Sequence, residues 1–338
     1  SLAGGSLQAA GRVPLEDAHT GYVSFGLENV QLQQLLAPWP EYASTARGSV
    51  NMRLQGRVAE VCRFEGVASA RDVDLEGVHI GELRFPFDAV WEPRSGRGKL
   101  VSQEAHAQVA QGRMTGQVEV DVLHTIGMHG KINLANVDLR SLERSLSSSQ
   151  QFGSGTVQGT VVFDGKNMRS INDLTATMNL KLKNSQAMTL PVLDQIGPLL
   201  SAGLSTATKF QTGELQGTLA HGIVRIRRFT LSSPTVQVFA KGSAAVAGRL
   251  DLEVVVRTGE QGANGPLAML ALNRLALTTA GPVGWVIEAN ELMSNRVINA
   301  HVGGTMRHPT VQVKPVALLA NEALRFFLSQ AGGGAALP

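Results

Sequence analysis

A single cysteine, Cys62, leaves this 338-residue chain without an intramolecular disulfide or a cysteine-based metal site. It lies between Val61 and Arg63 in a strand-like run, where it reads as an inert packing thiol. Charge is sparse at 17%, and the 30 basic and 27 acidic residues leave a net charge of only +3, which does not mark a nucleic-acid-binding protein. The densest basic spot, Arg225, Arg227 and Arg228, has only Phe229 beside it, where a nucleic-acid surface would interleave cations with several stacking rings. Long apolar runs are missing too. The most apolar window, Pro266 to Leu277, is too short to span a bilayer and contains Arg274. The chain opens at Ser1 with no basic segment leading into an apolar one, so an export signal or membrane anchor is expected to lie outside it.

Catalytic signatures are equally scarce. There is no G-x-S-x-G elbow, no G-x-x-x-x-G-K-[ST] loop and no H-E-x-x-H. Gly153, Ser154, Gly155 and Gly159 lack the spacing and the following helix of a phosphate cradle and read as a turn. The eight histidines are scattered, and the closest pair, His124 and His129, falls on opposite faces of an extended strand, so no metal site is expected. Asp72, Asp74, Glu119, Asp121, Asp251 and Glu253 each alternate with apolar residues, as carboxylates on a solvated sheet face do. No catalytic residue and no cofactor is assigned.

What the chain has is glycine, 37 of them, and alternation. From Lys209 to Val256 apolar and polar residues alternate between turn signals at Gly213, Gly217, Gly222, Ser232-Ser233-Pro234, Gly242 and Gly248, which predicts a meander of strands about five to nine residues long. Leu250, Leu252, Val254 and Val256 share one side of a strand, and Val236 and Val238 repeat the pattern one strand earlier. Val23, Phe25 and Leu27 begin a strand that passes into a short helix at Leu32, Leu35 and Leu36, ended by Pro38 and Pro40. Alternation resumes at Val50, Met52 and Leu54, and strands broken at Gly66, Gly77 and Gly81 follow.

The same order recurs. Asn29-Val30, Leu32, Leu35, Gly48 and Val50 match Asn136-Val137, Leu139, Leu142, Gly155 and Val157, each 107 positions later. Carried on without a gap, that offset pairs Val73 with Leu180 and Leu75 with Leu182, on the strand Met178, Leu180, Leu182. Two β modules are expected, 1–127 and 128–338, either separate or joined in one continuous sheet. The second carries an amphipathic helix over Met188 to Leu204, kinked at Gly197-Pro198. Further strands are expected around Trp285 to Ala289, Ile298 to Val302, and Val311 with Val313. A terminal helix from Val316 to Leu328, with Leu319, Ala323, Phe326 and Phe327 on its apolar face, is expected to cap the sheet near Val311 and Val313.

Two of these stretches carry a resemblance. Phe210 to Val256 runs F-x-T-G-E-L-x-G-T-L into a glycine-started strand, a Ser-Ser-Pro turn, a V-x-V strand and G-R-L-D-L; His301 to Val313 contains G-T-x-x-x-P-x-V-x-V. Together they resemble the C-terminal region of the AsmA-like family of bacterial envelope proteins, over about 130–328 well and more loosely before that. The resemblance implies a mainly β chain whose repeated antiparallel meanders form a long, curved, groove-like, half-open sheet with a few short amphipathic helices. It also implies a periplasmic location, anchorage to the inner membrane by an N-terminal helix, and a part in lipid transport or outer-membrane biogenesis.

On that basis the expected partner is a phospholipid or other acyl-chain lipid, with envelope proteins possible. The candidate groove residues are Met178, Leu180, Leu182, Val236, Val238, Leu250, Leu252 and Val254. Arg225 and Arg227, expected on the same face as Ile223 and Phe229, either hold lipid phosphates at a groove rim or extend to solvent. The alternatives are an interaction scaffold with a closed, dry core and a hydrolase whose site is assembled from distant residues.

Overall fold

The computed structural model describes residues 4–12, 20–37, 43–44, 46–75, 78–123, 125–141, 154–168, 173–185, 210–245, 248–258, 297–305, 308–314 and 321–331. They form a mainly β chain: sixteen strands in one antiparallel sheet that does not close into a barrel. Each strand lies beside the one before it in sequence, with no crossover.

The first ten strands are β1 (Ser6–Arg12), β2 (Gly21–Gln31), β3 (Arg47–Val58), β4 (Cys62–Leu75), β5 (Val78–Glu92), β6 (Arg97–Val109), β7 (Gly112–Val122), β8 (Ile126–Asp138), β9 (Thr156–Met168) and β10 (Thr175–Ser185). The last six are β11 (Phe210–Ala220), β12 (Ile223–Ser232), β13 (Val236–Ala245), β14 (Leu250–Thr258), β15 (Val297–Gly304) and β16 (Pro309–Lys314). Short helices accompany them, among them α1 (Leu32–Leu35) and α2 (Asn321–Ala331).

The strands run longer than the glycine spacing predicts. Gly66, Gly81, Gly213, Gly217 and Gly242 lie inside strands rather than between them. The reason is close approach of backbones: a β-carbon at Gly242 would stand 2.2 Å from the Asp251 carbonyl oxygen, and one at Gly217 would stand 2.8 Å from that of Arg225.

By compactness the chain divides into two units: Ser1–Gln151 with Gly155–Leu180 and Leu219–His221, and Phe152–Ser154 with Lys181–Thr218 and Gly222–Pro338. That division falls inside β10. The repeat boundary at 127/128 follows a different criterion, since the copies at 29–58 and 136–165 both belong to the first unit apart from 152–154.

Within the first unit the repeat is visible in the backbone. Val30 opposes Val50 on the neighbouring strand and Val137 opposes Val157, each just past a register shift, at Leu27/Val30 and Leu134/Val137. The extra residue in each bulge includes an asparagine in the left-handed region, Asn29 at φ 55° and Asn136 at φ 54°, a conformation asparagine tolerates better than most residues. The ungapped offset does not hold beyond that. After Asn167 at φ 53° in β9, the left-handed residue that matches Asp72 in β4 is Asn184 in β10, because the β9–β10 connection (169–174) is longer than the β3–β4 turn (59–61). Val73 therefore corresponds to Ser185, and both are buried.

In the second unit one core cluster gathers Leu231, Val236, Val238, Ala240, Leu250, Val254, Val256, Ala300, Val302 and Phe210. The register puts most of them on one side of the sheet: Leu231 opposes Val238, Val238 opposes Val256, Val254 opposes Ala300 and Val302 opposes Val311. The other side of β13 is buried as well, beneath α2. Phe239 and Phe326 have ring centroids 6.3 Å apart, Phe326 and Phe327 5.3 Å, and the Arg228 guanidinium lies 5.8 Å from the Phe326 ring. Lys241 Nζ adds an ion pair to Glu322 at 3.6 Å.

The terminal helix thus docks on the side opposite Val311 and Val313, and Val313 stays 53% exposed. Leu319 and the rest of 315–320 lie outside the described residues, as do the expected helix at Met188 to Leu204 and the expected strand at Trp285 to Ala289.

Candidate functional site

Register assigns every side chain of β1–β9 to one of two faces, because directly opposed residues point the same way. Starting from Phe25, one row runs Ala9, Phe25, Leu54, Gly66, Phe87. A second runs Gly98, Val122, Ile126, Met168, and a third Gly116, Ile132, Val161. Across nine strands this face carries almost nothing but apolar residues and glycine.

The opposite face is polar. One row runs Ser24, Gln55, Glu65, Asp88, and another Asn51, Ser69, Arg84, His106, Thr115, Asn133, Thr160.

The apolar face is unevenly covered. Toward the ends of the strands near α1 it is packed, with Val30, Ala70, Val73, Ala107, Val109, Val137 and Val157 buried. Toward the other end large side chains emerge: Phe25 is 38% exposed, Trp91 39% and Ile126 49%, and Leu7 on the first strand is 50% exposed.

Four rings on this face lie over glycines directly opposite them, Phe64 over Gly56, Phe87 over Gly66, Trp91 over Gly98 and Phe163 over Gly130. A β-carbon on any of these glycines would come within 2.5 to 2.7 Å of the ring. Each glycine lets its ring lie down on the sheet, which covers the bare backbone and leaves a low apolar floor.

The candidate groove residues are placed as follows. Val236, Val238, Leu250, Leu252 and Val254 share one face of the second unit. A β-carbon at Gly213 would meet Leu231 Cδ2 at 2.8 Å and Leu182 Cβ at 3.3 Å, which puts Leu182 beside that cluster. Val236, Val238, Leu250 and Val254 are buried and Leu252 is half-buried, so these five form a packed interior rather than open groove wall. Met178, Leu180 and Leu182 are half-buried and alternate with exposed Thr177, Asn179, Lys181 and Lys183.

The open apolar surface lies instead in the first unit. Its signal was present in Val50, Met52, Leu54 and in the L-R-F-P-F run Leu83 to Phe87, but alternation alone does not distinguish a covered face from an uncovered one.

Arg225 opposes Ser243, which opposes Asp251, so it projects to the polar side. A register shift between Ile226 and Phe229 carries Phe229 to the other side, opposite Ala240, and the expected shared face of Ile223, Arg225, Arg227 and Phe229 is broken there. Arg225 and Arg227 are both exposed; Arg228 reaches Glu214 at 3.6 Å.

On the polar face Glu119, Asp121 and His129 bring ligand-type atoms within 4.8 Å of one another. Lys99 already occupies Glu119 through a hydrogen bond that holds the carboxyl below its usual range and the ammonium above its own. His129 Nε2 stands 3.4 Å from the same carboxylate. The group is a cross-strand ion-pair network, and an added cation would have to displace the lysine.

Compared with family models, with curated proteins and with solved structures, this chain finds no match.

Proposed function

We propose that this chain is a non-catalytic lipid-binding or lipid-transfer module of a bacterial cell envelope, with acyl chains lying along the apolar face of the first unit. The observation that carries the reading is the nine-strand face itself. One side is apolar and keeps bulky side chains partly exposed, while the other is mainly polar. Apolar surface on that scale is costly in water and marks a binding surface. Acyl chains suit it better than a shaped ligand, because the face offers area with no convergent polar groups to orient a headgroup. The resemblance of 210–256 and 301–313 to AsmA-like proteins favours the same class and adds a periplasmic setting with inner-membrane anchorage. The packed core of the second unit favours a supporting role for that part.

Native mass spectrometry of protein extracted from cells tests the reading. Bound phospholipid is expected, and a Phe25→Glu, Leu54→Glu variant should lose at least half of it while melting near the parent. Lipid-free protein, or unchanged lipid in that variant, would dismiss the proposal.

A further inference from the structure

One end of the strands in the first unit stands apart: the end at which β1, β3, β5 and β7 finish and β2, β4, β6 and β8 begin. Twelve large hydrophobic side chains are exposed among the described residues, and half of them are here: Tyr22, Val61, Trp91, Val122, Leu123 and Ile126. Val61 and Leu123 sit in the turns 59–61 and 123–125 themselves, while Trp91, Val122 and Ile126 close the apolar face at that margin. The opposite end shows Leu35, with Leu7 near the start of β1.

Cations collect on the same margin. Arg12, Tyr22, Arg57 and Arg63 form one straight row across β1 to β4 on the polar face, each directly opposite the next. The Arg57 guanidinium lies over the Tyr22 ring at 5.5 Å. Like charges directly opposed across strands are destabilising, and Arg57 and Arg63 have no carboxylate within ion-pair distance among the described residues to offset them. Arg94 in the 93–96 turn is paired with Glu60 at 3.2 Å, so the uncompensated charge belongs to the arginine row.

From this juxtaposition we infer that the turn-bearing margin of the first unit docks on the surface of a bilayer that contains anionic phospholipid. Isolated apolar side chains on hairpin tips can enter the headgroup layer, tyrosine and tryptophan favour that boundary, and arginines just behind them meet phosphates. Charge complementarity selects the occupant: a neutral apolar partner would leave Arg57 and Arg63, which have no carboxylate partner among the described residues, unanswered.

The test uses the full chain and sedimentation with vesicles, either of phosphatidylcholine alone or with 30 mol% phosphatidylglycerol. Binding to the mixed vesicles is expected, weakening as salt rises, and Arg57→Gln, Arg63→Gln should reduce the partition coefficient about tenfold or more. Val61→Asp, Leu123→Asp, which alters only exposed turn positions, should reduce it by a similar order. Leu35→Asp, at the other end, should leave it unchanged. Circular dichroism and melting curves confirm that each variant folds.

Equal partition of the parent and both double variants, or no partition at all, overturns the inference. So does loss of a dimer in those variants with vesicle binding intact, which would make the margin an interface between copies. Docking is scored by sedimentation and acyl-chain seating by mass spectrometry, so either can fail while the other stands.

Discussion

A glycine under a ring is the smallest unit of this architecture. At Gly130 a β-carbon would lie 2.3 Å from the Gln117 carbonyl oxygen and 2.7 Å from Phe163 Cζ. Gly130→Ala must therefore displace either backbone or ring, and it is expected to cost about 1–3 kcal/mol in chemical denaturation. The Lys99–Glu119 pair gives a second residue-scale prediction. Glu119 is held low mainly by the hydrogen bond from Lys99, so its contribution to stability is present above the ordinary carboxylate range and is lost as pH falls through the lowered value. Lys99 is raised, so its contribution is complete below the ordinary lysine range and disappears as pH rises through the folded value. Lys99→Met should move the Glu119 titration midpoint upward by NMR; an unmoved midpoint means the pair is open in solution. Neither feature could be read from the sequence. Gly130 and Phe163, or Lys99 and Glu119, become neighbours only through a register that spacing along one strand does not specify.

At the scale of the element, the strands were legible wherever alternation was strict, and their ends were not. Gly217 and Gly242 mark close backbone approach instead of turns. The terminal helix was legible as a helix, but its seat was not. Phe239 lies in V-Q-V-F-A between Gln237 and Lys241, on the side that alternation assigns to water, and it became the anchor for Phe326. Burial of Phe326 and Phe327 contributes about 3–6 kcal/mol, so removal of residues 321–338 should lower the melting temperature and expose Phe239. Phe327→Ala alone should cost about 3–5 kcal/mol. A turn offers the opposite sign. Gln111 holds φ 62° beside Ala110 at 47° in the two-residue β6–β7 connection, the geometry of a type I′ turn, and Gln111 is exposed. Gln111→Gly should stabilise by up to about 1 kcal/mol, net of the glycine's own entropy.

For the whole molecule, sequence reasoning identified an open antiparallel sheet with one apolar side, and it identified the repeat that Val30–Val50 and Val137–Val157 display. Of the groove candidates it named, Val236, Val238, Leu250 and Val254 are buried and Leu252 is half-buried in the second unit, while Met178 and Leu180 fall in the first. Hydrophobic alternation is the same in both units, and coverage depends on elements that return from far along the chain. A matched pair of substitutions separates the two. Leu252→Glu places a carboxylate beside Val254 and Val302 in a packed interior and should destabilise by several kcal/mol. Phe25→Glu, on the open face, should shift the melting temperature by only a few degrees.

The sequential strand order has a kinetic meaning. Every strand completes its first ladder with the strand made just before it, as Trp91 does with Cys62, so apart from the long connections 186–209 and 259–296 most closures span a short loop and the sheet can grow strand by strand behind the ribosome. Only α2 waits, since Phe326 must find Phe239 across the length of three further strands. Assembly then proceeds as a zipper with a late latch. Length becomes an adjustable property: one hairpin more or fewer keeps the direction of every later strand, whereas a single strand gained or lost reverses them all.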